Sequence, residues 1–156
     1  MADKRGRTPL WCAVEHCSDQ AVHLLLERED ITPDVANDDG ETPLMVVTQY
    51  RSHRFVKLLL RREDVNPNVA DNFGRTPLLC AAERGDDQVV KLLLELEDVI
   101  RGISDYNGQT PLSAAARFGH DGVVRLLLGW QNLNPNVTDN SGRTPYRGLL
   151  QMAMMG

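Results

Sequence analysis

What the chain lacks narrows its class. No apolar run exceeds five residues, so no segment can cross a membrane as a helix. The start, Met1-Ala2-Asp3-Lys4-Arg5, runs directly into polar sequence without an apolar h-region, so no secretory leader is expected. There are only three cysteines, an odd number without zinc spacing, and free thiols in a reducing, intracellular setting (cytoplasmic or nuclear) are the expectation. A surplus of positive charge is missing too. The net charge is -5, which disfavours binding to the nucleic-acid phosphate backbone. Aromatic residues are scarce, at 5% of the chain, so each one carries information. What remains is ordinary for a globular protein: 156 residues, 42% apolar and 25% charged, enough to bury about two-thirds of the unfolded surface.

The dominant positive signal is an internal repeat. Thr-Pro occurs at Thr8-Pro9, Thr42-Pro43, Thr76-Pro77, Thr110-Pro111 and Thr144-Pro145, always 34 residues apart. A glycine stands two residues before each threonine, at Gly6, Gly40, Gly74, Gly108 and Gly142. Leucine triplets keep the same register at 24–26, 58–60, 92–94 and 126–128. The chain therefore divides into repeats at about 3–36, 37–70, 71–104 and 105–138, with a partial fifth at 139–156, all in one array spanning 1–156.

Within a repeat the pattern reads turn, helix, helix, loop. Asp71-Asn72-Phe73-Gly74 is a tight turn in which glycine supplies the positive φ. The Thr76 hydroxyl caps the helix and Pro77 takes its first position, where a missing N–H loses no bond. A short helix over Leu78 to Glu83 ends at Gly85, and a second is expected from Asp87 to Leu96, with Val89, Val90, Leu92, Leu93 and Leu94 on a broad apolar face. Neither helix can cover that face alone, so the repeats must stack.

The segments DNFGRTPLLCAAERGDDQVVKLLL (71–94) and DYNGQTPLSAAARFGHDGVVRLLL (105–128) resemble ankyrin repeats. The resemblance implies an all-α solenoid of stacked helix-turn-helix units with β-turn or hairpin tips. The 34-residue variant is similar to that of long ankyrin arrays in large multidomain proteins, and the chain is expected to be a piece cut from a longer array. Several positions depart from the family pattern. The histidine of TPLH is replaced by Trp11, Met45, Leu79, Ser113 and Arg147, so its hydrogen bonds are expected to be missing. The helix-ending glycine is Cys17 and Arg51 in the first two repeats. A left-handed conformation there costs about 1 kcal/mol, which makes the N-terminal half the softer one. The third repeat carries Val99-Ile100-Arg101-Gly102-Ile103 in place of an Asn-Pro-Asn loop, and a different loop path is expected. Trp11 is expected near an open upstream end, and a last helix from Pro145 to about Met154 ends among Met152, Met154 and Met155.

The resemblance also implies where binding happens: on a concave surface made by the turn tips and the exposed side of the first helices. These positions differ between the copies while the framework stays nearly constant. Four of the eight aromatics fall on them, Tyr50, Phe73, Tyr106 and Phe118, together with Arg75, Arg84, Arg117 and Arg143. Aromatics and arginine are the usual interface anchors. The expected partner-binding set is Tyr50, Phe73, Arg75, Arg84, Tyr106, Arg117 and Phe118. Phe55 and Tyr146 match framework positions and are expected to pack.

The expected function is that of a protein–protein interaction module, part of a larger multidomain protein, holding a protein or peptide partner on the concave face. The alternatives are a spacer or a segment that self-associates through uncapped ends, and more remotely an enzyme or small-molecule receptor. No membrane or nucleic-acid partner, cofactor, metal or catalytic residue is expected. Cys12, His16 and Cys17 lie within one turn of helix but lack further ligands. His23, His53 and His120 read as structural, and no nucleophile and base converge.

Overall fold

A computed structural model describes residues 2–129, 138–142 and 144. Among them are eight helices and no strand: α1 (Pro9–Glu15), α2 (Asp19–Leu26), α3 (Pro43–Gln49), α4 (His53–Leu59), α5 (Pro77–Arg84), α6 (Asp87–Leu94), α7 (Pro111–Phe118) and α8 (Asp121–Leu128). Tyr146, Arg143, Trp130, the Asn134-Pro135-Asn136 loop and the expected terminal helix lie outside the described residues.

Each helix has only seven or eight residues. Isolated helices of that length are marginal in water, so packing must hold them. The packing is layered. The odd-numbered helices stand side by side in one layer, each touching the next (α1 to α3, α3 to α5, α5 to α7), and the even-numbered helices repeat the order in a second layer. Leu10, Leu44, Leu78 and Leu112, one per repeat, are each at most 2% exposed and form the ladder that joins the layers. Val22, Val56, Val90 and Val124 do the same from the second layer.

The starts follow from Thr-Pro. The hydroxyls of Thr8, Thr42, Thr76 and Thr110 accept the backbone N–H groups of Trp11, Met45, Leu79 and Ser113 at 3.2 to 3.3 Å. The first-layer helices all stop on a left-handed residue. This is glycine at Gly85 (φ 66°) and Gly119 (φ 73°), and it is Cys17 (φ 52°) and Arg51 (φ 55°) in the first two repeats. The strained conformation is thus kept without the residue that relieves it. Gly85 is required twice over, since a Cβ there would lie 2.3 Å from Nδ1 of His120, which packs across it.

Four expectations need correction. Trp11 does not lie near an open end. It is 5% exposed, and its indole N–H donates to the Glu41 carbonyl of the second repeat at 2.9 Å. A buried indole needs such an acceptor, and the neighbouring repeat supplies it. The hydrogen bonding of the missing histidine is partly restored by Ser113, whose Oγ accepts the Thr110 N–H at 2.8 Å and closes a capping box. The second helix of the third repeat ends at Leu94, earlier than expected. The loop of that repeat also keeps the common link: Asn68 Oδ1 accepts the Ile100 N–H at 2.7 Å, as Asp34 Oδ2 accepts the Asn66 N–H at 2.7 Å one repeat earlier. That bond needs only a backbone donor, so the loss of Asn-Pro-Asn does not break it.

Candidate functional site

The tips are built by a side chain that sequence reasoning passed over. Asp71 Oδ1 accepts the N–H groups of Phe73 at 2.9 Å and Arg75 at 2.8 Å, which folds the turn and aims both side chains outward. Asp105 does the same for Asn107 and Gln109, Asn37 for Asp39 and Glu41, and Asp3 for Arg5 and Arg7. The signal was available as an Asp or Asn recurring every 34 residues at 3, 37, 71, 105 and 139. Successive tips are then stitched by one backbone bond each. The N–H of Asp38, Asn72, Tyr106 and Asn140 reaches the carbonyl of Arg5, Asp39, Phe73 and Asn107 at 2.9 to 3.0 Å. In the tips at 37–41, 71–75 and 105–109 every backbone N–H has a partner, which holds this row of turns in place.

A second row ties the tips to the ends of the first-layer helices. Arg7 donates to Glu15 at 3.0 Å and Gln49 to Glu41 at 2.8 Å. Gln109 donates to Glu83 at 3.2 Å and accepts from Arg117 at 3.3 Å. Burial pushes the Glu83 carboxyl above the usual carboxylate range, with the Arg75 charge pulling the other way. Tips and helix ends therefore share one face.

The structure places the seven expected partner-binding residues as follows. Phe73 and Tyr106 sit on adjacent tips, 59% and 74% exposed, and the Tyr106 ring lies over Gly74. Arg75 lies beneath them with its guanidinium 5.2 Å from the Phe73 ring and 2.7 to 2.8 Å from Asp71 Oδ2. Phe118 ends α7 and Arg117 precedes it, the guanidinium 5.5 Å from the ring centre. Arg84 ends α5 and is exposed. Tyr50 caps α3, 58% exposed, on the second repeat. His16, Tyr50, Arg84 and Phe118 occupy one position of the repeat, and all four are exposed. Arg51, Glu83, Arg84, Phe118 and His120 line an open groove of about 460 Å³ at these helix ends. Arg51 and His120 were not among the expected contact residues.

A polar knot lies behind the groove. Asp86 is 2% exposed and caps α6 by accepting the Val89 N–H at 3.1 Å. It also takes bonds from Nε2 of His53, one repeat earlier, at 2.8 and 3.0 Å, and Arg51 approaches to 3.4 Å. Burial alone would raise its carboxyl. The Val89 N–H, the His53 bond and the Arg51 charge outweigh burial and hold it below the usual range. Burial pushes the Cys80 thiol up to about 12, so it stays protonated and packs as an apolar group.

Against known proteins, a model of ankyrin repeats (3 copies) matches residues 1–71 and again 50–141. No curated protein matches the chain. Among the described residues no helix is long and apolar enough to cross a membrane.

Proposed function

Because the chain belongs to the ankyrin repeat family, whose members are generally protein–protein interaction modules and typically not enzymes, we propose that it binds a protein or peptide partner on its concave face. The contacts are Tyr50, Phe73, Tyr106 and Phe118, with Arg84 and Arg117 as polar partners and Arg75 as a support for Phe73. The observation that carries this is the exposure of these four rings, between 48% and 74%, at the tips and first-layer helix ends, where they make up half of the large exposed apolar side chains among the described residues. Aromatic side chains lose little conformational entropy on binding, and a rigid array has already ordered its backbone. The job is binding rather than chemistry.

The alternative of self-association through the ends loses its main N-terminal contact, since Trp11 is enclosed between the first and second repeats. The test compares the native chain with the Phe73→Ser, Tyr106→Ser, Phe118→Ser variant as baits in lysate of the expressing cells, each with helical content checked by circular dichroism. A protein retained by the native chain and lost by the variant supports the reading. Equal retention by both removes these aromatics from the binding surface.

A further inference from the structure

We propose that the partner presents an acidic segment, whose carboxylates pair with Arg84 and Arg117 and whose apolar side chain packs on Phe118. This rests on the interaction reading above and adds the chemistry of the partner.

Several arginines are already occupied. Arg7 is held by Asp3 and Glu15, Arg28 by Asp30, Arg54 by Asp19, Arg62 by Asp64 and Arg75 by Asp71. Arg75 is bound to Asp71 through both Nε and Nη2, which leaves it little to offer a partner. Arg84 has no hydrogen bond or ion pair within the described residues. Arg117 meets only the neutral amide oxygen of Gln109, at 3.3 Å. A single unpaired surface arginine is ordinary. Here two of them lie in the last turns of first-layer helices of adjacent repeats, Arg84 at the end of α5 and Arg117 just before the end of α7, and the Phe118 ring beside Arg117 is left 48% exposed.

The groove lined by Arg84 and Phe118 carries two guanidinium groups in a chain whose net charge is -5, and Arg117, beside the Phe118 ring, lines the neighbouring cavity with Gln109, Ser113, Asp139 and Thr144. Arg51 and Arg84 line the groove beside His120, and Glu83 is its one lining carboxylate. That carboxylate is half-buried and already accepts from Gln109. Asp86, behind the groove, is engaged by His53, by the Val89 N–H and by Arg51 at 3.4 Å. Arg84 is therefore the groove guanidinium that an incoming anion would meet with little competition. Guanidinium groups take carboxylates in paired hydrogen bonds. Packed helices stand about 8–10 Å apart, and an extended chain rises about 3.3 Å per residue. Acidic residues two or three positions apart, with an apolar residue nearby, fit that interval.

The test selects a displayed library of random 16-residue peptides on the full chain. Three targets run in parallel: the native chain, Arg84→Glu with Arg117→Glu, and Phe73→Ser with Tyr106→Ser and Phe118→Ser. An Arg84→Gln, Arg117→Gln pair is the milder variant, and each target is checked for native helicity. The native chain is expected to enrich peptides rich in Asp or Glu beside an apolar residue. Their affinity should fall at least tenfold on either arginine variant and fall further as salt is raised. Enrichment of neutral or basic peptides that still need the aromatics would overturn this proposal and leave the interaction reading standing. No enrichment, or enrichment indifferent to every variant, would overturn both. A thymidine oligonucleotide that binds more tightly through the same arginines would replace the acidic segment with nucleic acid.

Discussion

The first two repeats and the next two share one backbone plan but satisfy it differently. Repeats three and four end their first helices on Gly85 and Gly119, and repeats one and two reach the same left-handed region with Cys17 and Arg51. In the later pair the first-layer helices meet through small residues, Ala81, Ala82 and Ala114 to Ala116, which let backbones approach closely. In the earlier pair the matching positions carry Cys12, Ala13 and Val14 in the first repeat and the bulkier Val46, Val47 and Thr48 in the second. Leu59, Leu93 and Leu127 are fully buried, while Leu25 in the first repeat is only half-buried and Leu24 is 58% exposed. Asp86 caps the second helix of repeat three with a side-chain bond, whereas Ser18, Ser52 and His120 make none in the other three repeats. The same fold is thus held with more local support in the C-terminal half, which is where the proposed contact residues concentrate. A binding surface gains from that, since a stiff scaffold has less to lose on association.

The largest expected effect tests the core. Leu93→Ala should lower unfolding stability by about 2–5 kcal/mol in denaturant titration, because the cavity cannot collapse at a fully buried site. Leu25→Ala should cost clearly less. Equal losses would break the contrast between the halves.

Asp86→Asn comes next, with a loss of about 1–2 kcal/mol expected at neutral pH from the weakened cap and the lost charge on His53 and Arg51. The sign with pH follows from its lowered folded value. The native carboxylate stabilises above the ordinary aspartate value of about 3.9, and that contribution is lost as pH falls through the lower folded value. Between neutral pH and about 2 the native chain should therefore converge toward the variant. A constant gap across that window would show that the charge is not what stabilises.

Cys17→Gly should act in the opposite direction, raising stability by about 1 kcal/mol by removing left-handed strain. Thermal melting in reducing buffer would measure it. No gain would mean the strain is absorbed elsewhere in the first repeat. The smallest effect is expected from Phe118→Ala, within about 1 kcal/mol, because the ring is half exposed. A loss as large as that of Leu93→Ala would assign Phe118 to the core and remove it from the proposed contact set.

Much of this was legible in the letters. The 34-residue recurrence of Thr-Pro and glycine located the four described first-layer helices and their tips, because capping and left-handed turns are local events set by a few residues. Exposure of Phe73, Tyr106 and Phe118 was legible as variation between copies against a constant framework. Trp11 was misplaced because nothing local reveals an acceptor thirty residues away. The turns were read, but the role of the Asp71 and Asp105 side chains in folding them was missed although their period was in plain view, since a side chain that folds a turn looks like any polar residue in one.

The sequence by itself thus determined the repeat, its helices, its caps and the side chains that vary at the tips and helix ends, since all of these follow from neighbours within one repeat. Only the tertiary structure decided what the repeats do to one another. It enclosed Trp11 against Glu41, brought His53 and Arg51 to Asp86, and separated Arg75, tied to Asp71, from Arg84, which is left open. The three arginines proposed for the contact face, Arg75, Arg84 and Arg117, are the same letter. What distinguishes them is the carboxylate within reach, and that distance is set by how one repeat packs and turns on the next.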